Sequence, residues 1–95
     1  MTKLYSMMGL CLRAGKLLVG RDAVIAAVKR GRVRSVYLTS DAAASHRREL
    51  AAVAPDLPVL ALPFTMDDAL EHLGKRSCIF AAADGNFAAA IEKLI

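Results

Sequence analysis

Residues 17–39 read LLVGRDAVIAAVKRGRVRSVYLT, and the reading of this stretch decides the fold. Leu17-Leu18-Val19 is an apolar run long enough only for a short strand, and Gly20 ends it. From Arg21 to Arg30 the apolar residues Val24, Ala27 and Val28 recur at spacings of three and four, which predicts one face of a helix. Asp22 stands in its first turn, where a carboxylate complements the helix dipole. Lys29 and Arg30 close the last turn, and Gly31 stops it. Ser35 to Thr39 is β-branched and aromatic and reads as a strand.

The same alternation continues outward in both directions. Upstream, Lys3 to Ala14 carries Leu4, Met7, Met8, Cys11 and Leu12 at helical spacing, and Gly15 ends it. Downstream, Ser45 to Val53 predicts a third helix with Ser45 as its cap. Pro55 and Pro58 bracket a turn before a strand over Val59 to Leu62. Thr65 is placed to cap a fourth helix that has Asp67 and Asp68 in its first turn and stops at Gly74. Cys78 to Ala83 is a nearly unbroken apolar run, as expected of a central strand covered on both faces. Asn86 is placed to cap the last helix, Phe87 to Ile95. Strict α-β alternation predicts an α/β fold: a three-layer α/β/α sandwich around a four-stranded mixed, mostly parallel sheet. The order of the strands is left open.

The charge is split between the halves of the chain. Residues 1–48 hold ten Lys and Arg against Asp22 and Asp41, a balance of +8. Residues 49–95 hold three cations against seven carboxylates, a balance of −4. A domain with one cationic end suits a polyanionic partner. Ninety-five residues predict a single domain, and a 56% hydrophobic fraction supplies its core. Without Trp and with few aromatics, a sheet that stacks RNA bases on aromatic side chains is disfavoured.

Cys11 and Cys78 are too few and too far apart for a zinc motif, and both read as free thiols of a reducing cytoplasm. No signal peptide and no membrane-length apolar run is read, so a cytoplasmic location with no membrane partner is expected. Gly15-Lys16 lacks the spacing and the hydroxyl of a phosphate-binding loop, which excludes nucleotide hydrolysis on this pattern. His46 and His72 have no cysteine or serine partner at a recognisable spacing. No catalytic residue, metal site or cofactor is expected.

One constellation remains. Arg13-Ala-Gly-Lys16 is followed by Gly20-Arg-Asp22, which sets cations beside the start of a helix. The first N–H groups of a helix lack internal partners, and glycine admits a close approach. Together they favour an anion, such as a nucleic-acid phosphate.

The chain also resembles the kink-turn RNA-binding family of small ribosomal proteins that includes the large-subunit proteins called seven-Ae and thirty-e, and within it the stand-alone bacterial members. The segments that carry the resemblance are Gly9-Leu-Cys-Leu-Arg-Ala-Gly-Lys16, Gly20 with a helix ending Val28-Lys-Arg-Gly31, Val36-Tyr-Leu-Thr-Ser-Asp-Ala42, and Ala83-Asp-Gly-Asn-Phe87. The resemblance implies a non-enzymatic RNA-binding domain over residues 1–95. In that family the start of the second helix enters the widened groove of a kinked RNA and meets sheared G·A pairs. The family pattern there is Gly, any residue, Asn, Glu, two residues, Lys. Gly20 keeps the glycine, while Asp22, Ala23 and Ala26 stand at the three polar positions. A second contact region maps onto Gly74-Lys75-Arg76-Ser77.

The expected RNA-binding residues are therefore Arg13, Lys16, Gly20, Arg21, Asp22, Lys75 and Arg76. The expected partner is structured RNA, ribosomal RNA in the first instance. Two other readings keep the fold: an adaptor whose acidic C-terminal half meets a protein partner, and an accessory RNA-binding subunit for a separate RNA-modifying enzyme.

Overall fold

A computed structural model describes residues 1–95. Nine elements alternate along the chain: α1 (Thr2–Arg13), β1 (Leu17–Val19), α2 (Arg21–Lys29), β2 (Ser35–Leu38), α3 (Ala44–Val53), β3 (Val59–Ala61), α4 (Met66–Leu73), β4 (Ile79–Ala82) and α5 (Gly85–Leu94). The strands form one sheet in the order β1-β4-β2-β3. One layer of helices covers each face, so the α/β/α sandwich stands as expected.

The two faces have separate cores. On one, Leu4, Met8 and Cys11 of α1 meet Ala69 and Leu73 of α4 and Ala88 and Ile91 of α5 over Tyr37 and Phe80. On the other, Val24, Ile25 and Val28 of α2 and Leu50 of α3 pack on Val36, Leu38, Ile79 and Ala81. β4 alternates between them: Phe80 and Ala82 enter the first core, Ile79 and Ala81 the second. All four of its residues are buried, which is why Cys78 to Ala83 shows no polar alternation. The Tyr37 hydroxyl pairs with Ser35 Oγ inside the first core. Burial pushes the tyrosine up to about 12 and the Cys11 thiol up to about 11, so both stay neutral.

Three of the four strands run in the same direction, in keeping with the expected mixed sheet. The fourth, β4, is antiparallel to both β1 and β2, and the one parallel ladder is β2 with β3. "Mostly parallel" thus describes strand direction and not the ladders. The cause lies after α4. Gly74 ends that helix in the left-handed conformation, and residues 75–78 run back along it, so that Arg76 Nε donates to Asp67 Oδ1 at 3.0 Å beside the helix start. The chain therefore re-enters the sheet from the end it had left, and β4 points the opposite way.

Two expected caps are displaced. Ser45 lies inside the first turn of α3, whose N-cap is Ala43 with no side-chain bond. The cap of α5 is Asp84, not Asn86: its carboxylate accepts from Asn86 N–H and Phe87 N–H, and the helix begins at Gly85. Thr65 caps α4 as expected, in a reciprocal box with Asp68. No helix is long and apolar enough to cross a membrane.

Candidate nucleic-acid interface

The topology brings the starts of three helices to one edge of the sheet. β1, β2 and β3 all end at this edge, and each is followed by a helix: α2 after Gly20, α3 after Ala43, α4 after Thr65. Because β4 is antiparallel, its beginning also lies here. Gly20 N–H donates to Ile79 O at 3.0 Å and Thr39 N–H to Cys78 O at 3.0 Å, which seats the 74–78 segment between the ends of β1 and β2. Of the residues expected to bind RNA, Gly20, Arg21, Asp22, Lys75 and Arg76 meet at this edge.

The three helix starts are not equivalent. In α4, Thr65 Oγ1 accepts from Asp68 N–H and Asp68 accepts from Thr65 N–H, while Asp41 takes Met66 N–H. The Thr65 N–H and hydroxyl hold the Asp68 carboxyl below its usual value. The nearby Thr39 hydroxyl, whose oxygen makes no hydrogen bond of its own, and Met66 N–H do the same for Asp41. The starts of α2 and α3 have no side-chain cap. No protein acceptor takes the Arg21, Asp22 and Ala23 N–H groups of α2 or the Ala44 and Ser45 N–H groups of α3, and the positive end of each helix dipole lies behind them. Gly20 reaches φ 97° and ψ 151°, a region essentially closed to residues with a Cβ.

The charged side chains here are largely matched. Arg21 makes a forked contact with Glu49 of α3, with Nε to Oε1 at 3.0 Å and Nη2 on Oε2. Its Nη1 also reaches Asp22 Oδ1 at 2.7 Å. These partners, the Glu49 bond first, raise the guanidinium above its ordinary value. Arg76 is paired with Asp67. Only Lys75, which is exposed, has no acidic partner in this group.

Arg13 and Lys16 lie elsewhere. Lys16 precedes β1, and its carbonyl accepts from Ala83 N–H at 2.9 Å at the far end of β4. Four strand positions separate it from Gly20, or about 13 Å at ~3.3 Å per residue. Proximity in sequence suggested one site; an intervening strand makes it two ends of a sheet.

One contact at the edge was not foreseen. His46, in the first turn of α3, places Nε2 3.5 Å from Cys78 Sγ, across 32 residues of sequence. No spacing rule finds such a pair, because only the antiparallel entry of β4 creates it. No group of three or more His, Cys, Asp or Glu is placed to hold a metal ion.

The fold and this edge define a small α/β/α domain that presents open helix starts beside a short basic segment. The chain is 26% identical over 95 residues to the RNA-binding protein YlxQ of Enterococcus faecium, spanning 98% of this chain and 91% of that one. It also matches the solved structure of a Bacillus halodurans protein with unknown function, with TM-score 0.79 and 30% identity over 95% of this chain and 97% of that one. The chain belongs to one family with that Bacillus halodurans protein. No family model matches the chain.

Proposed function

We propose that this protein is a non-enzymatic binder of structured RNA, associated with the ribosome, whose contact face is the edge at Gly20. The observation that carries the reading is that the two uncapped helix starts, α2 and α3, open at the same edge as the Lys75 segment. Full-length similarity to a protein described as RNA-binding supports it. Backbone N–H donors, rather than Arg21 and Arg76, would take the phosphate, since both of these arginines are already paired. Asp22, whose side chain is 95% exposed and which meets Arg21 through Oδ1 alone, would accept from a guanine edge through Oδ2, a carboxylate's role toward that base. On this reading the RNA is kinked and carries sheared G·A pairs, and ribosomal RNA is the first substrate to try.

The test is filter binding to a kinked RNA with tandem G·A pairs and to a fully paired duplex of equal length. The protein is expected to prefer the kinked RNA. Asp22→Asn should reduce that preference by a factor equivalent to about 1–3 kcal/mol. Lys75→Ala should weaken both RNAs equally and make the slope of log K against log salt shallower by about 0.7–0.9. Equal affinity of the unaltered protein for both RNAs would refute kink recognition.

A further inference from the structure

The edge opposite Gly20 carries a second group of cations that nothing neutralises. Arg34 N–H donates to Ala82 O at 2.8 Å and Ala83 N–H to Lys16 O at 2.9 Å, so Lys16 and Arg34 flank the end of β4. Arg32 N–H donates to Ala27 O at 3.0 Å, which folds the turn after α2 back onto the last turn of that helix. Lys16, Arg30, Arg32 and Arg34 are all exposed, and none enters an ion pair. Asp84, two residues beyond the end of β4, is committed to the N–H groups of α5. At the Gly20 edge Arg21 and Arg76 are matched by carboxylates, while Arg47 and Arg48 of α3 and Lys75 are not.

A cleft of about 290 Å³ runs along α2 from Ala23 to the helix C-terminus. It is lined by Ala23, Ala26 and Ala27, with Arg30 and Arg32 at its basic end. The small side chains leave room for a chain to lie against the helix. The helix has nine residues, so the path is about 14 Å long at ~1.5 Å per residue.

We propose that Lys16, Arg30, Arg32 and Arg34 form a second phosphate-binding surface, reached by RNA that starts at Gly20 and continues along the alanine flank of α2. The occupant is a phosphodiester backbone. Guanidinium groups suit it because their forked N–H donors match phosphate oxygens. A helix C-terminus alone asks for one or two cations in its last turn. It does not account for Lys16 and Arg34, which come from two different strand ends. The proposal rests on RNA binding at Gly20, and the test separates the two.

Two RNAs are compared: a minimal kinked hairpin, and the same hairpin with one flanking arm lengthened. The unaltered protein should bind the longer RNA more tightly, with a steeper salt dependence. The variant Arg30→Ala/Arg32→Ala/Arg34→Ala should lose that gain and make the slope on the longer RNA shallower by about 2–3. Its affinity for the minimal hairpin should stay within about twofold. Lys16→Glu, a single exposed change, should show the same selective loss if the triple variant melts early. Equal losses on both RNAs, or no gain from the longer arm in the unaltered protein, would overturn the proposal. Capture of anionic lipid vesicles instead of the longer RNA would overturn it too. Failure of the Gly20 reading looks different: the minimal hairpin would then bind no better than a duplex.

Discussion

Gly20 joins two requirements in one residue. It is the last residue before α2, and its N–H closes the junction with β4 through Ile79 O. Its conformation, φ 97° and ψ 151°, is one that a Cβ makes costly. A Cβ built there meets no heavy atom within 4 Å, so the cost of Gly20→Ala is backbone strain alone. Urea unfolding of Gly20→Ala should show a loss of about 1–3 kcal/mol. A loss below about 0.5 kcal/mol, the ordinary range for a harmless surface change, would mean that the turn relaxes freely. The glycine was legible in the sequence as the end of Leu17-Leu18-Val19. The state of its neighbour was not, because Arg21 finds Glu49 across 28 residues of sequence, and no local pattern encodes an ion pair between two helices.

At the scale of elements, what can be read from a sequence depends on how local the cause is. All nine elements follow from periodicity, apolar and β-branched runs, caps, and glycine and proline stops. The cap of α4 was legible because Thr65 and Asp68 answer each other within one turn. Asn86 misled because Asp84, two residues earlier, already starts the helix by accepting from Asn86 N–H and Phe87 N–H. Ser45 misled because α3 starts one residue before it, with no side-chain cap at all. Thr65→Ala should cost about 1 kcal/mol, read from a denaturation midpoint. The start of α4 also carries the acid sensitivity of the fold. Asp41 and Asp68 are both held below the usual aspartate value in the native state. Their contribution is therefore complete above the unfolded value of about 3.9. It is lost as pH falls through the lower folded values. Melting temperature should drop below about pH 4, and Asp68→Asn should make that drop shallower while lowering stability at neutral pH.

At the scale of the molecule, folding rearranges the charge that the sequence displays. The +8 of residues 1–48 suggests one cationic end. Folding instead sends Lys16, Arg30, Arg32 and Arg34 to one edge of the sheet and matches Arg21 at the other. Sequence position is a poor guide here because a strand of three or four residues is enough to carry neighbours to opposite edges. Strand order was hidden for a related reason. Alternation fixes the layers, but the turn at Gly74 and the return of residues 75–78 decide where β4 enters.

That late entry of β4 has a consequence for the order of events as the chain is made. β1 and β2 do not touch each other; each is held by β4, through Leu18 with Ala81 and Val36 with Ala81. A growing chain that has not yet reached Ile79 holds β1 with no partner strand, and only the β2–β3 ladder can form. Contacts between distant segments are slow to close, and unpaired strand edges invite aggregation in the meantime. A chain truncated after Ser77 should show no cooperative thermal transition and should be digested rapidly by protease. The full chain should resist. A sharp transition in the truncated chain would mean that the two helix layers can assemble without the strand that joins them.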